Sequence, residues 1–260
     1  MKSNDLTILI LSCDKYCDVW EPFFYCFRKN WKQCPYPLWL GSNTISYSGG
    51  NIKTILSGPD KDWSSSLRAI LGQIKTPYVF VWLDDMFPVS AVKPENFSET
   101  LDFMIRSGAK HVHLEPTPSP DSVMPGGKYG IYERKAPYRA TVFGFWNVAC
   151  LYDLLLPGEN PWNFEIMGSY RTRYTDGFYC AMQPIVIRLN VVEKGRISQG
   201  AYEYCRVHSI PLDPAKRPVI SNAKNIQSVL QILYFNAVLK VPWKIRLAVM
   251  DTFRKLLITY

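Results

Sequence analysis

The first half of the chain alternates continuous apolar runs with segments in which large apolar residues recur at helical spacing. The runs LTILILS, YPLWLGSN, NIKTIL and YVFVWL predict strands. Helices are predicted over 18–31 and over DWSSSLRAILGQIK, and a helix at 94–107 and a strand at 110–114 continue the alternation. Buried strands that alternate with helices are typical of a largely parallel sheet with helices on both faces. The pattern therefore predicts an α/β fold.

The second half of the chain is less regular. Residues 115–139 contain five prolines and the pair Gly126–Gly127, which predict a loop over the sheet. Beyond this loop, the pattern predicts a strand in TVFGFW, a helix near 147–156, a strand in PIVIRLNVV and a short helix near 199–207. His111 and His113 alternate within the strand at 110–114, so they are expected to share one face and to pack at a sheet edge.

The net charge of +8 is concentrated near the C-terminal end. From Ala215 onward there are eight Lys or Arg and one acidic residue, so this segment alone carries +7. Apolar residues within 241–258 recur at the helical period, with charged residues opposite them. A basic amphipathic helix predicts peripheral contact with a membrane surface. The alternative is that its apolar side packs on the rest of the chain or on a second subunit.

Other features of the composition favour a cytoplasmic location. The first residues are polar, and no apolar run approaches the roughly 20 residues that a transmembrane helix needs. Seven cysteines, an odd number without a C-x-x-C pair, favour a reduced protein over a disulfide framework or a zinc site. We therefore expect a cytoplasmic protein that contacts the inner face of the cell membrane through its C-terminal helix.

Two adjacent carboxylates, Asp84 and Asp85, directly follow the apolar strand YVFVWL. Adjacent carboxylates repel each other unless a cation or water lies between them. Ligands of open parallel sheets bind at the carboxyl ends of the strands, and carboxylates there suit Mg²⁺ or Mn²⁺ bound beside nucleotide phosphates. The sequence therefore indicates a metal and nucleotide site, with capping of the next turn as the alternative.

Several segments match a known enzyme family in order and spacing: TILILSCDKYCDVWEPFF, YPLWLGSN, DWSSSLRAIL, TPYVFVWLDDMF and ENPWNFEIMGSYR. Over about residues 5–210 the chain resembles the nucleotide-sugar glycosyltransferases of the GT-A fold that are found in bacterial capsule and O-antigen gene clusters. The resemblance implies a GT-A-like, Rossmann-type domain over 1–212, with a donor half at about 1–115 and an acceptor half at about 138–212. The basic helical extension then covers 213–260.

The same resemblance implies a metal site. The family's metal motif is often D-x-D, whereas this chain has Leu83-Asp84-Asp85 followed by Met86. Asp85 and Asp84 would hold Mn²⁺ or Mg²⁺, or one of them would bind the sugar or the ribose instead. His208 is a candidate third ligand, and an ordinary structural role is the alternative for this histidine.

A larger set of residues is implied to bind the nucleotide-sugar donor. The set comprises Ser12, Asp14, Tyr16, Trp63, Ser66, Arg68, Asp84, Lys194 and Arg196. Asp14 would accept hydrogen bonds from the base or ribose, or would cap the following helix, while Tyr16 would stack on the base. Arg68 would pair with the diphosphate, or would form a surface salt bridge. Lys194 and Arg196 would stabilise the leaving diphosphate, or would merely form a basic turn.

Glu165 is the predicted catalytic base. Inverting sugar transfer needs a carboxylate, apart from the metal pair, that takes the proton of the acceptor hydroxyl. Pro161 predicts a helix start here, and apolar neighbours would raise the pKa of Glu165. Stabilisation of the first helical turn is the alternative role. Glu159 is the substitute base, and both Glu159 and Trp162 are candidates for binding the acceptor.

The combined prediction is an inverting glycosyltransferase that moves a sugar from a nucleotide diphosphate, preferably UDP, to a hydroxyl of a glycan or lipid-linked saccharide. A sugar nucleotidylyltransferase is the enzymatic alternative, but it would need a glycine-rich basic loop after the first strand, which SCDKYCDVW lacks. A nucleic-acid-binding module fits the pI of about 9.0. Because the charge is confined to the C-terminal segment, no nucleic-acid partner is expected. An inert carbohydrate-binding protein is the third alternative.

Overall fold

The computed structural model describes residues 5–50, 52–193 and 195–220, together with Pro242 and Ile245. The strands are β1 (Leu6–Leu11), β2 (Leu38–Ser42), β3 (Lys53–Leu56), β4 (Tyr78–Leu83), β5 (Met86–Pro88), β6 (His111–His113), β7 (Ser122–Val123), β8 (Tyr129–Ile131), β9 (Gly144–Asn147), β10 (Phe178–Ala181), β11 (Arg188–Asn190), β12 (Val192–Glu193), β13 (Arg196–Ser198) and β14 (Val219–Ile220). The helices are α1 (Cys17–Asn30), α2 (Trp63–Leu71), α3 (Pro94–Ser107), α4 (Val148–Leu154), α5 (Pro161–Arg171) and α6 (Gln199–Val207).

Nine of the described strands form one sheet in the order β3-β2-β1-β4-β9-β6-β10-β8-β7. The strand pairings make β8 and β9 run opposite to the other seven strands. The protein is therefore α/β, with a large and mostly parallel central sheet flanked by helices. This confirms the fold class predicted from the sequence.

The two faces of the sheet carry separate apolar cores. Along β1 the side chains alternate, so that Ile8 and Ile10 join the core under α1 and α3, whereas Leu9 and Leu11 join the core under α2, α4 and α5. Both faces of β1 are covered, which explains why the strand is apolar at every position except Thr7. Phe23 of α1 is fully buried against Trp82 of β4, with ring centroids 5.8 Å apart.

The segment 115–139, predicted to be a loop, contains the short strands β7 and β8, which extend the sheet beyond β10. Gly130 lies at the centre of β8, where a Cβ atom would approach the Pro120 side chain to 2.4 Å. Because both strands are very short and rich in turn residues, their hydrophobic pattern is too weak to predict them. The pattern also missed β10, and the predicted strand PIVIRLNVV is divided between β11 and β12.

Two small sheets complete the described fold. Strand β11 pairs with β5, and β14 pairs with β13 in the sheet of β12, β13 and β14. Strand β14 lies beyond residue 212, the predicted end of the first domain, and the division of the chain at 212 stays a prediction. The amphipathic helix predicted within 241–258 lies outside the described residues, apart from Pro242 and Ile245. Among the described helices, none is long and apolar enough to span a membrane.

Candidate active site

The carboxyl ends of the parallel strands β1 to β4 meet at one edge of the sheet. β1 is in register with β4 from Leu6 opposite Tyr78 to Leu11 opposite Leu83, so the residues that follow both strands are neighbours. Ser12 follows β1, Asn43 follows β2, Ser57 follows β3, and Asp84 follows β4. Polar side chains thus converge at the edge where open parallel sheets bind ligands.

Asp84 lies buried at this edge and is only 5% exposed. Its carboxylate accepts a hydrogen bond from the Ser12 hydroxyl, whose oxygen accepts one from the Trp20 indole N–H at 2.6 Å. Burial raises the pKa of Asp84 well above its ordinary value, and the charge of Asp85 raises it further. Asp84 is therefore fixed in place by the protein itself.

Asp85 has the freer carboxylate of the pair. Its Oδ1 atom is buried and has no hydrogen-bond partner among the described residues. Burial raises the pKa of Asp85 to about 6. A buried and unpaired carboxylate oxygen beside a second carboxylate fits a hard divalent cation, and Mg²⁺ is commonly held by one or two carboxylates with phosphates and waters as its other ligands. No group of three His, Cys, Asp or Glu side chains within the described ranges could hold a metal ion by itself.

Asp14 joins the loop after β1 to the loop after β2. Its carboxylate accepts hydrogen bonds from the main-chain N–H groups of Asn43, Thr44 and Ile45, at 3.0 to 3.1 Å, and from the Thr44 hydroxyl. In return the Asp14 N–H donates to Asn43 Oδ1 at 3.1 Å. These contacts occupy the carboxylate with the protein's own main chain, so Asp14 shapes the candidate nucleotide loop; direct contact with base or ribose stays a prediction.

Arg217 lies beside the candidate site, a position that the sequence did not reveal because the residue was counted only as part of the basic C-terminal segment. Its guanidinium lies over the Tyr16 ring, with Cζ 4.4 Å from the ring centroid, and forms an ion pair with Asp18. It also donates to the carbonyl oxygens of Lys15 and Gly195. The charge of Arg217 acts on both Asp84 and Asp85 and opposes the rise of their pKa values.

Helix α2 carries three residues that the sequence predicted to bind the donor, and the structure gives them different surroundings. It begins at the N-cap Asp62, whose carboxylate accepts the Ser65 N–H at 2.8 Å. Ser66 faces the site, since its hydroxyl accepts a hydrogen bond from Asn43 Nδ2 at 3.4 Å. Trp63 instead packs on Phe164 of α5, with ring centroids 5.5 Å apart.

The Arg68 guanidinium contacts the C-terminal end of α4. Its Nη1 donates to the carbonyl oxygens of Tyr152 and Leu155 at 3.1 Å, and its Cζ lies 4.1 Å from the centroid of the Tyr152 ring. It therefore satisfies carbonyl groups at the C-terminal end of α4. This position differs from the predicted pairing with a diphosphate, because the guanidinium is already engaged elsewhere.

Glu165 is held at the same edge of the sheet as the aspartate pair. β9 runs antiparallel to β4, with Gly144 opposite Val81, so Val142 lies near the end of β4. The Val142 N–H donates to Glu165 Oε1 at 3.0 Å, and the Ser169 hydroxyl ties α5 to the Ala140 N–H. Burial raises the pKa of Glu165, and the hydrogen bond from Val142 offsets part of the rise.

The two predicted acceptor residues are placed very differently. Glu159 forms a two-pronged pair with Arg171, with Nη1–Oε1 and Nη2–Oε2 distances of 2.7 and 2.9 Å, so its carboxylate is occupied. Trp162 is 73% exposed and lies one turn before Glu165 on α5. An exposed indole beside the candidate base is available to a ligand, whereas Glu159 is committed to a structural pair.

The remaining predicted residues are scattered. Lys194 lies outside the described residues. Arg196 is exposed at the start of β13, and His208 is exposed at the end of α6, where its ring contacts Tyr204 with centroids 4.1 Å apart. His208 belongs to no described group that could hold a metal ion. The structure thus brings together Ser12, Asp14, Tyr16, Ser66, Asp84 and Asp85.

The two histidines of β6 lie inside the sheet, because β6 is flanked by β9 and β10. The expectation that they share a face is confirmed, since their ring centroids are 6.3 Å apart, but the expected sheet edge is wrong. His111 is fully buried and is bonded through both ring nitrogens, to the Phe145 carbonyl and the Thr141 hydroxyl, each at 2.9 Å. His111 therefore has a structural role.

No family model matches the chain, and no curated protein matches it. Among solved structures, the chain is similar to S. aureus TarS 1-349, with 10% identity, a TM-score of 0.45 and coverage of 68% of this chain. The chain spans about 60% of the length of that TarS fragment. Another structure of the same fragment contains UDP-GlcNAc.

Two further structures are similar to the chain. A CMP:2-keto-3-deoxy-manno-octonic acid synthetase complexed with CTP gives 10% identity and a TM-score of 0.44, over 79% of this chain and 98% of that one. The glycosyltransferase GlyE of Streptococcus pneumoniae TIGR4 gives 9% identity and a TM-score of 0.40, over 97% of this chain and 63% of that one. With TM-scores below 0.5, these similarities carry no argument about activity. Any function must therefore be argued from the chain's own residues.

Proposed function

We propose that the protein is a glycosyltransferase that takes a sugar from a nucleotide-diphosphate donor, preferably a UDP-sugar, and transfers it to a hydroxyl of a glycan or lipid-linked saccharide. The proposal is based on the presence of two separate kinds of carboxylate at the same edge of the sheet. Asp85 offers a buried, unpaired oxygen beside Asp84, and Glu165 stands apart on α5 near the same strand ends.

The nucleotide would bind against the loop from Ser12 to Tyr16. Hydrogen bonds to Asp14 hold this loop against the residues after β2, and the guanidinium of Arg217 supports the Tyr16 ring. A loop with so many internal bonds loses little conformational freedom when a ligand binds, which favours affinity. Tyr16 would stack on the base, and Asn43 and Ser66 would form the polar floor beneath the ribose.

Asp85 is the residue that would hold Mn²⁺ or Mg²⁺, with Asp84 beside it fixed by Ser12. A bound divalent cation would supply positive charge to the diphosphate as it leaves. The negative charge of the pair would also be balanced in part by Arg217, whose field reaches both carboxylates.

Glu165 is the proposed general base. The acceptor oxygen forms a bond to the anomeric carbon, the bond from that carbon to the diphosphate oxygen breaks, and the acceptor proton passes to Glu165. Inversion at the anomeric carbon follows from a single displacement of this kind. The Val142 N–H holds one carboxylate oxygen in place, and burial raises the pKa of Glu165 toward the range that suits a base. Exposed Trp162, one turn away, would contact the acceptor.

Calorimetric titration with UDP, GDP and CDP, with and without Mn²⁺, tests the donor site. We expect one nucleotide to bind in a Mn²⁺-dependent way and Asp85→Ala to abolish that binding. Incubation of the cognate nucleotide-sugar with a saccharide acceptor, followed by anomeric NMR of the product, tests inversion. Absence of binding by all three nucleotides would contradict the proposal, and turnover of a nucleoside triphosphate with a sugar phosphate would identify a nucleotidylyltransferase instead.

The biological setting of the reaction is a separate proposal. A role in capsule or O-antigen synthesis, and contact of the basic extension with an anionic membrane, stay predictions from the sequence. Sedimentation of the full chain with vesicles of anionic and neutral phospholipid would test the membrane contact. Binding that is specific to anionic vesicles and is lost at high salt is expected.

A further inference from the structure

A second carboxylate and guanidinium pair lies at the carboxyl end of β6. Arg188 of β11 donates to Glu115 through Nη2 to Oε1 at 2.8 Å and through Nη1 to Oε2 at 3.3 Å. The Arg188 guanidinium also lies against the Phe143 ring, with Cζ 4.8 Å from the centroid. Both charged side chains are partly exposed, at 18% for Arg188 and 27% for Glu115, so a ligand can reach them.

Neighbouring segments of main chain join this pair to the residues proposed to bind the cation and to act as the base. Strand β11 pairs with β5, and the Val191 N–H just after β11 donates to the carbonyl oxygen of Asp85 at 2.8 Å. On the other side, Phe143 directly follows Val142, whose N–H binds Glu165. The pair therefore lies near both Asp85 and Glu165 in the fold, and the sugar of a donor would lie between the cation and the base.

Two buried nitrogen atoms in this cluster have no hydrogen-bond partner within the described residues, namely Arg188 Nε and His113 Nδ1. His113 is only 7% exposed, and the charges of Glu115 and Arg188 both act on it. Burial lowers the pKa of His113 to about 4, so its imidazole is neutral at pH 7. Unpaired buried polar atoms cost free energy, so this cluster is not arranged for stability alone.

An opening of about 320 Å³ lies beside the pair and is lined by Glu115, Arg188 and Asn190. Small-molecule sites typically range from about 300 to 1,000 Å³. The Glu115 carboxylate and the Arg188 guanidinium bind each other, but a carboxylate has about four acceptor sites and a guanidinium has five N–H donors, so both keep further capacity for hydrogen bonds. Glu115 also differs from the paired Glu159 in exposure, because 27% of the Glu115 side chain is exposed and only 12% of the Glu159 side chain. Neighbouring hydroxyls on a sugar ring can donate hydrogen bonds to the carboxylate and accept them from the guanidinium. The lining of the opening therefore complements a neutral sugar.

We propose that Glu115 and Arg188, with His113 buried beside them, form the subsite for the hydroxyls of the transferred sugar, and that this cluster determines which donor sugar is used. The inference rests on the proposed function, because it assigns the sugar half of the same donor. The nucleotide half is bound elsewhere, by the loop after β1 and the aspartate pair. The two halves of the donor therefore depend on different residues and can be tested separately.

The test compares the binding of UDP with that of UDP-glucose, UDP-galactose and UDP-GlcNAc by calorimetry in Mn²⁺. For Glu115→Gln, which keeps the shape of the side chain, we expect the Kd of the preferred nucleotide-sugar to rise at least tenfold and the Kd of UDP to stay unchanged. Asn190→Ala removes an exposed polar side chain from the opening and should weaken the same nucleotide-sugar about threefold. Melting temperatures establish that each variant is folded.

Asp176→Asn is the control, because Asp176 also forms a two-pronged pair with an arginine, Arg134, in a more exposed position away from the opening. This change should alter neither Kd. Equal weakening of UDP and the nucleotide-sugar by Glu115→Gln, or no weakening of either by Glu115→Gln and Asn190→Ala, would overturn the subsite while leaving the proposed function in place. A wild-type protein that binds no nucleotide would instead refute the proposed function and the subsite together.

Discussion

Arg217 and Asp18 stand 199 positions apart in the chain and form a two-pronged ion pair. The Nε–Oδ2 distance is 2.9 Å and the Nη2–Oδ1 distance is 2.7 Å. The two side chains are only 9% and 15% exposed, so solvent screens the pair little. The pair joins the segment after α6 to the first turn of α1, immediately behind the candidate nucleotide loop.

Arg217→Gln should reduce both stability and nucleotide binding. Asp18 would keep its charge without its partner in a largely buried position, which is expected to lower the free energy of unfolding by about 3 kcal/mol. The Tyr16 ring would lose its support, so the nucleotide Kd should rise. Urea denaturation and calorimetry measure the two effects. Arg134→Gln serves as the control, because it breaks an exposed pair with Asp176 and should change neither the free energy of unfolding nor the nucleotide Kd. If the two variants behaved alike, the pair of Arg217 with Asp18 would have no special role.

Asp85→Asn should stabilise the ligand-free protein at neutral pH. Burial raises the native pKa of Asp85 from 3.8 to about 6, so the folded state favours the protonated carboxyl. Ionisation therefore opposes folding above pH 6, and this penalty fades as the pH falls toward 4. We expect the variant to gain about 2–3 kcal/mol in the free energy of unfolding at pH 7.5 and about 1 kcal/mol or less at pH 4.5. Equal gains at both pH values in urea denaturation would exclude charge as the cause.

Glu165→Gln should separate binding from chemistry. The amide can still accept the Val142 N–H but cannot take a proton, so kcat is expected to fall between about 10² and 10⁴-fold while the nucleotide Kd stays unchanged. Steady-state transfer assays and calorimetry provide the two readouts. Glu159→Gln tests the substitute base: it should mainly cost stability, because it leaves Arg171 without its carboxylate. A larger loss of kcat in Glu159→Gln than in Glu165→Gln would identify Glu159, and not Glu165, as the base.

The pH profile of transfer follows from the same carboxylate. Glu165 acts as a base only when it is deprotonated, and burial raises its pKa above the ordinary value of 4.5. We therefore expect kcat to rise with pH through a midpoint above 4.5 and then to level off. A profile that is flat across the acidic range would argue against Glu165 as the base, provided that the melting temperature shows the protein to be folded there.

Arg68→Gln distinguishes a structural role from a contact with the diphosphate. The guanidinium donates to two carbonyl oxygens at the end of α4, so its loss should lower the free energy of unfolding by about 1–2 kcal/mol. The nucleotide Kd should stay the same. If the variant had normal stability but bound the nucleotide more weakly, the predicted contact of Arg68 with the diphosphate would be supported instead.

The sequence predicted those features that depend on strong local patterns. Strands β1, β2 and β4 and helices α1 to α3 have long apolar signals, and Asp84 and Asp85 are adjacent in the chain, so their common position needs no tertiary information. Strand β8 has only three residues, too few for a pattern, and β10 (FYCA) has four but lies outside any longer apolar run. The direction of a long side chain depends on which partners the fold brings near, and this is why the environment of Arg68 and that of Arg217 could not be predicted.

The same limit applies to the proposed sugar subsite. Glu115 stands at the start of a proline-rich segment and Arg188 within a β-rich run, and neither context carries a motif. Only the pairing of β11 with β5 brings the two together next to Asp85. Site residues that come from separate elements and share no motif are therefore the hardest to predict from a single sequence.

The position of Arg217 has a consequence for the order of events during synthesis on the ribosome. The loop from Ser12 to Tyr16 emerges first, but the guanidinium that supports it is translated about 200 residues later. At 5–20 residues per second, the nascent chain would spend about 10–40 seconds with an incomplete nucleotide loop. A partly made chain could thus fold much of its sheet and still not hold a nucleotide, so ligand binding would begin only when the domain is nearly finished.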